Sequence, residues 1–545
     1  MNKNSLAVTD STFSQEAWRL GEALLASAVR HAARPALCVG EEHFTYSELF
    51  EQAGRVTASL AAVGAKPSSR VAILAKRSMV AYSAILGTLL AGCTYIPLNT
   101  RFPPTRNRAI LNASEAVAVV VESACIKDID QIIDQHSDSL TLIVPDGDVT
   151  FSPSLGKILT KSELPVATLG TIPRGVKLQT EDPAYILFTS GTTGAPKGVP
   201  ISHGNLASYI SGVHLIAPLA PEDRVLQLVD LTFDLSVHDM FVTWLAGAEL
   251  YAVPEHASIF VSRFIRQHSI TSCMLVPSTA AQARDRGLLV PNSMESLRNT
   301  LFLGEALPVE VARSWARAAP YSRVLNTYGP TECTVLVSSF EFTPDAACDK
   351  AVVPIGKPLQ GTKMTIFDAE HREVPNGEVG ELHLGGPQLT KGYWRAPELD
   401  SVCFVRVQGE RWYRTGDVAY YDDKLGFVFN GRLDRQVKVN GYRVELQEAE
   451  GALRRVCGRE QVAIIPWPLV SPGNAEGLVA FVAGIEINGA DILDEVARLL
   501  PPYMVPSRII FLENLPLNSN GKVDYKVLAA DYRIEKEAGN GEYTP

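Results

Sequence analysis

Short β-branched runs alternate with stretches of helical periodicity over the first part of the chain. Arg70-Val71-Ala72-Ile73-Leu74, Val117-Ala118-Val119-Val120-Val121 and Leu140-Thr141-Leu142-Ile143-Val144 read as buried strands with helical segments between them. From Trp18 to Arg34 apolar residues recur at helical spacing, and Phe44-Thr45-Tyr46 reads as a strand entering a helix begun by Ser47-Glu48-Leu49. This rhythm predicts an α/β fold of layered, largely parallel sheets. Residues 145–180 are rich in Pro, Gly, Ser and Thr and predict a surface connection. From about residue 352 to 430, shorter strands separated by Gly and Asn turns predict a β-rich subdomain. The remainder holds helix and strand signals sufficient for a small α+β domain.

Length and composition narrow the classes. A chain of 545 residues exceeds one hydrophobic core, so several domains or subdomains are expected. Hydrophobic residues at 46% and charged residues at 20% are ordinary for a soluble globular protein. The net charge is −10 with Lys and Arg dispersed, which excludes a basic face for nucleic acid. The eight cysteines are scattered without a Cys-x-x-Cys pair, so neither a disulfide framework nor a zinc site is indicated. The polar start, Met1-Asn2-Lys3-Asn4 onward, lacks the apolar core of a leader. The apolar stretch from Val80 to Leu98 is interrupted by Ser83, Gly87 and Gly92. A cytoplasmic protein without membrane insertion is expected.

The first chemical signal is a loop. Tyr185-Ile186-Leu187-Phe188 reads as a buried strand and runs into Thr189, Ser190, Gly191, Thr192, Thr193, Gly194, Ala195, Pro196, Lys197 and Gly198. Glycines let backbone N–H groups approach phosphate oxygens, hydroxyls add donors, and Lys197 adds a mobile charge. Gly198 follows the lysine where a Walker loop would place Ser or Thr, so this is a phosphate loop of another kind.

Tyr185 to Val199 resembles the phosphate loop of the adenylate-forming superfamily, which includes acyl-CoA synthetases, luciferases and adenylation domains of nonribosomal peptide synthetases. Further motifs follow in that family's order over almost the whole chain. Phe44 to Leu49 and Leu90 to Leu98 resemble its first two, structural, motifs. Asn326-Thr327-Tyr328-Gly329-Pro330-Thr331-Glu332 resembles the adenine turn: by that resemblance Tyr328 stacks on adenine, Asn326 bonds its amino group, Thr331 joins the ATP site and Glu332 helps hold Mg²⁺. A carboxylate beside a triphosphate is unfavourable without an intervening cation, which supports Glu332 independently. Tyr413-Arg414-Thr415-Gly416-Asp417 resembles the motif whose Asp holds the ribose hydroxyls. Gly431-Arg432-Leu433-Asp434-Arg435-Gln436-Val437-Lys438 resembles the interdomain junction, with Arg432 on the ribose and Asp434 as hinge. Asn520-Gly521-Lys522-Val523-Asp524 resembles the catalytic-lysine loop, with Lys522 stabilising charge as the acyl-adenylate forms. The implied organisation is a large unit, residues 1–433, carrying ATP and substrate, and a small mobile lid, residues 434–545.

The acceptor class follows from Phe233-Asp234-Leu235-Ser236-Val237-His238-Asp239, which resembles the fourth core motif of amino-acid-activating domains. Asp234 falls where those enzymes pair with the substrate ammonium, a charge-assisted contact a fatty or aryl acid would leave unmade. By resemblance Leu235, His238, Met274, Leu301, Leu303, Gly304, Thr327, Val335 and Leu336 line the side-chain pocket, with Asp234 and Lys522 holding the two backbone charges. The bulky Leu301 and Leu303 predict a shallow apolar pocket, favouring glycine or alanine, then proline. Asn440 stands where the family commonly has a basic residue, Gln447 where it has Gly, and Asn518 where it has Thr.

No Gly-Gly-x-Ser carrier attachment site and no His-His-x-x-x-Asp-Gly condensation motif occurs. A free-standing ligase is therefore expected, using ATP and Mg²⁺ and passing its aminoacyl group to the phosphopantetheine thiol of a separate carrier protein. Two alternatives stay open: an acyl-CoA synthetase acting on a non-amino acid with coenzyme A, and a non-catalytic descendant. Intact Lys197, Glu332, Asp417, Arg432 and Lys522 argue against the second.

Overall fold

The computed structural model describes residues 18–133, 140–149, 157–191, 196–344, 351–484, 489–518 and 522–537. Thr192, Thr193 and Gly194 of the phosphate loop lie outside the described residues. The architecture is α/β, as the alternating pattern predicts.

Two large sheets form the frame. One has seven strands in the order Lys157–Leu159, Thr141–Ile143, Ala118–Val121, Arg70–Leu74, Thr94–Leu98, Pro183–Thr189, Lys197–Ser202. All neighbours in it are parallel except the last pair, which forms a hairpin around the glycine-rich loop. The other has nine strands. Its parallel centre includes Arg224–Gln227, Ser272–Leu275, Asn299–Phe302 and Arg323–Tyr328. Helices Leu20–Arg30, Tyr46–Ala62, Met79–Leu90, His203–Ile216 and Leu235–Ala246 contribute to one continuous apolar core with both sheets. The structural motif Phe44–Leu49 has a local cause: Thr45 and Glu48 form a reciprocal capping box that starts the helix Tyr46–Ala62. Met79–Leu90 is buried on nearly every face, which accounts for its uniformly apolar sequence. No helix among the described residues is long and apolar enough to cross a membrane.

An antiparallel five-stranded sheet follows, comprising Lys363–Phe367, Gly380–Gly385, Phe404–Val407, Glu410–Asp422 and Gly426–Arg432. Residues 437–532 then build apolar clusters largely among themselves, around a four-stranded and a three-stranded sheet. The surface connection expected over residues 145–180 needs correction. Lys157–Leu159 adds an edge strand, and Leu164, Ile172 and Leu178 are buried. These isolated apolar anchors have no periodicity, so pattern reading passes over them.

Candidate active site

In open α/β sheets ligands bind beyond the carboxyl ends of the parallel strands. Here those ends converge. Ser190 follows Pro183–Thr189, Leu303 and Gly304 follow Asn299–Phe302, Tyr328 closes Arg323–Tyr328, and Asp234 lies beyond Arg224–Gln227. Together with Thr189, Thr331, Asp417 and Arg432 they line a cavity of about 90 Å³.

Tyr328, Asp417 and Arg432 form one hydrogen-bonded group. The Tyr328 hydroxyl and an Arg432 N–H both donate to the Asp417 carboxylate, and Arg432 Nη2 also donates to Thr415 O at 3.1 Å. Asn326 is buried, with Nδ2 donating to Val353 O at 3.0 Å and Pro354 O at 2.8 Å. Its Oδ1 has no partner among the described residues.

Glu332 is fully buried. The Tyr393 hydroxyl donates to it at 2.7 Å, Arg443 lies at 3.0 Å and Lys197 at 3.8 Å. Burial alone would raise its pKa, but Arg443, Lys197 and the Tyr393 hydroxyl outweigh it and hold the carboxyl at about 2. Among the described residues no group of three His, Cys, Asp or Glu side chains could hold a metal ion. Mg²⁺ at Glu332 would therefore take most of its ligands from phosphates and water. In this arrangement Arg443 and Lys197 already meet that carboxylate, so Glu332 fits the ion only with Arg443 withdrawn.

Asp234 precedes the helix Leu235–Ala246 but makes no capping bond, which removes the ordinary role of an Asp at that position. It faces the cavity instead. Burial raises its pKa to about 6, against the Thr331 hydroxyl and Lys438, which pull it down. Asp239 on the same helix is buried with neither oxygen bonded, and burial raises its pKa well above the usual carboxylate range while Arg77 lowers it.

The predicted pocket divides. Asp234, Leu235, Leu303 and Gly304 reach the cavity. Met274, Leu301, Val335 and Leu336 do not; they are buried behind it in the same apolar cluster as Leu235 and Leu303. Thr327 turns its hydroxyl to Phe302 O at 2.8 Å. His238 lies 2.6 Å from the Tyr209 hydroxyl and, with burial lowering its pKa to about 3, is neutral. These residues are buried and do not line the cavity.

Lys522 stands apart from this cavity. It is exposed and borders a separate groove with Pro196, Arg106 and Glu448, away from Asp234. The pair expected to hold the two substrate charges is not brought together. The cavity instead receives a hairpin, Gln436–Val439 with Tyr442–Glu445, which carries Lys438 and Arg443. Burial lowers the Lys438 pKa while Asp417 raises it. Ser190 Oγ donates to Arg443 O at 2.9 Å, and Tyr442 packs between Phe233 and Tyr503. Sequence reasoning missed Lys438 and Arg443. The Asn440-Gly441 turn signals the hairpin, but nothing local says where it lands. Asp434 accepts from Arg432 Nε at 2.7 Å and from the Gln436 N–H at 3.2 Å, at the junction between that hairpin and the antiparallel sheet.

Residues 24–394 match the AMP-binding enzyme family, and the chain belongs to it. Within that family its likeness runs to ligases that adenylate amino acids. It is 34% identical over 522 residues to the L-proline–[L-prolyl-carrier protein] ligase of Streptomyces coelicolor, covering 93% of this chain and 95% of that protein. It is also 34% identical over 500 residues to tyrocidine synthase 2 of Brevibacillus parabrevis, covering 90% of this chain but 13% of that much longer protein. Among solved structures, the Vibrio cholerae adenylation domain AlmE, in complex with glycyl-adenosine-5'-phosphate, superposes with a TM-score of 0.87. The two are 34% identical, and the match covers 97% of this chain and 100% of that one.

Proposed function

We propose that this protein activates a small amino acid as its aminoacyl-AMP, glycine or alanine before proline, and passes it to the phosphopantetheine thiol of a separate carrier protein. The observation that carries this reading is Asp234: a buried carboxylate, free of any capping duty, at a small cavity that Leu235 and Leu303 also line. A substrate ammonium completes that carboxylate, and the small volume of the cavity, about 90 Å³, supports a short side chain. The glycyl-AMP bound by AlmE and the proline of the Streptomyces ligase lie at the same small end of the range.

In the first half-reaction the amino-acid carboxylate attacks the α-phosphorus of ATP, a P–O bond breaks and pyrophosphate leaves. Tyr328, Asp417 and Arg432 hold the nucleoside, Ser190 and Lys197 the phosphates. Bound Mg²⁺ would supply charge neutralisation beside the phosphates, with Glu332 as its protein ligand. Lys522 must come into the site to meet the developing charge. We assign residues 1–433 to the nucleotide- and amino-acid-binding unit and residues 434–545 to the lid, turning at Asp434. In the second half-reaction the thiol attacks the acyl carbon and AMP leaves. A cavity of about 190 Å³ supports that route, since it is lined by Gly441 and Tyr442, has Lys76, Arg77 and Arg101 in its wall, and shares Phe233, Leu235 and Gly441 with the amino-acid cavity.

Amino-acid-dependent pyrophosphate exchange tests the proposal. Glycine or alanine should drive exchange most strongly and proline next. Exchange driven only by fatty or aryl acids would overturn it.

A further inference from the structure

One turn behind the amino-acid cavity is held in an unusual backbone conformation. Thr334 and Val335, both β-branched, lie consecutively in the left-handed region, at φ of 59° and 67°. Residues with a branched Cβ avoid that region, so neighbouring structure must impose it. The turn links Glu332 to Leu336. It closes with Leu336 N–H donating to Thr334 O at 2.9 Å, and Val337 N–H donates to Tyr328 O at 2.7 Å. Gly329 accepts the returning chain because it has no Cβ, which would meet Leu336 Cα at 2.5 Å. Val335 and Leu336 are thereby set, fully buried, against Gly329, which lines the cavity, and within the apolar cluster that also holds Leu235 and Leu303.

What imposes the turn is one side chain. Gln388 is buried, and its Nε2 donates to Cys333 O at 3.2 Å, Thr334 O at 3.4 Å and Leu336 O at 2.9 Å. In return the Thr334 hydroxyl donates to Gln388 O at 2.7 Å. The clamp is itself anchored. Asn205 Nδ2 donates to Pro387 O at 2.7 Å and Leu389 O at 3.2 Å, one on each side of Gln388. Asn205 is fixed in turn by the capping box it shares with Ser202. A rigid helix start thus fixes the backbone around Gln388, and Gln388 fixes the turn.

We propose that Gln388 is a specificity-setting positioning residue: its carboxamide holds the Thr334–Val335 turn left-handed and so keeps Val335 and Leu336 closed against the side-chain end of the amino-acid cavity. The inference rests on the amino-acid reading above and goes beyond it, because Gln388 touches neither cavity nor substrate. Removing the donors lets the strained turn relax toward ordinary backbone geometry, withdrawing part of the wall.

The test is pyrophosphate exchange with glycine, alanine, proline and valine on Gln388→Met, which keeps the volume and removes the donors. For the amino acid that wild type prefers, KM should rise about tenfold with kcat within about twofold, and the preference over the next larger substrate should fall about tenfold. Thr334→Gly in the Gln388→Met background should restore the preference to within about threefold, because glycine adopts the left-handed region freely. An unchanged preference in Gln388→Met, a uniform fall in kcat across all substrates, or no recovery in the double variant would each overturn the proposal. If Gln388→Met does not fold, Thr334→Gly alone decides: the amide grip remains, so the preference should hold, and its collapse refutes the clamp. A wild type that exchanges with no amino acid refutes the reading underneath. A discriminating wild type with an equally discriminating Gln388→Met refutes the clamp alone.

Discussion

Asp234 and Glu332 are both buried carboxylates, yet their surroundings drive them apart. Glu332 sits between Arg443 and Lys197 and stays ionised. Asp234 has the Thr331 hydroxyl as partner, and burial raises its pKa to about 6. An ammonium needs the ionised form, so kcat/KM for the amino acid should fall about tenfold per pH unit below about 6. Asp234→Asn should flatten that acid limb in a pH–rate profile. The stability sign is opposite. A raised folded-state pKa means the folded protein holds this proton more tightly than the unfolded chain, so the group favours folding at low pH and that contribution is lost as pH rises through about 6. The acid limb therefore reports binding and not unfolding of this group. Asp234→Ala should raise the amino-acid KM by about ten- to a hundredfold, the scale of a lost charge-assisted bond, with the KM for ATP unchanged. Asp234 was singled out in the sequence through the resemblance of its motif, and the structure places it at the cavity. That Asp239, five positions on, is buried without a hydrogen-bond partner and outside the cavity lining was not legible in the sequence, because only packing distinguishes them.

At the scale of elements, the hairpin over Gln436–Val439 and Tyr442–Glu445 matters most. Asn440 and Gly441 both have positive φ, 50° and 84°, the requirement of a tight hairpin turn. This explains Asn440, which by sequence alone was only a departure from the usual basic residue: Asn tolerates the left-handed region better than other side chains. Gly441 is further constrained, since a Cβ there would meet Val276 at 2.7 Å. Gly441→Ala should unseat the hairpin. Transfer of the aminoacyl group to the thiol should then slow at least about tenfold, with pyrophosphate exchange within about threefold of wild type. Single-turnover transfer measured beside exchange separates the two. The Asn518 substitution also acquires a local reason: its Oδ1 accepts from the Lys522 N–H at 3.1 Å and its own N–H donates to Lys522 O at 2.7 Å, which ties the base of the lysine loop.

Across the whole molecule, the proposed two half-reactions call for two placements of the C-terminal part, and the arrangement observed fits the second. Arg106 and Glu448 form a buried ion pair between the seven-stranded sheet's side and the C-terminal part, and Glu448 also accepts from the Gly191 N–H at 3.2 Å. With these contacts made, Arg443 reaches Glu332 while Lys522 faces the outer groove. Lys522→Ala should lower pyrophosphate exchange by at least about a hundredfold and spare thiol transfer from supplied aminoacyl-adenylate. Equal losses in both assays would refute a turning lid. Asp434→Pro should show the reverse, because a fixed φ at the junction resists rotation.

The sequence by itself determined the family, the order of the motifs and the α/β layering, because each of these rests on local residue types, spacing and periodicity. The tertiary structure alone decided which residues meet. Val335 and Leu336 could be named as pocket candidates by resemblance, but their place beside Gly329 depends on a turn that Gln388, distant in the chain, bonds. Lys522 could be named as the lysine of its loop, but its distance from Asp234 depends on where a separately packed part of the chain comes to rest. Local chemistry is written along the chain, whereas the meeting of distant groups is set by which surfaces bury one another.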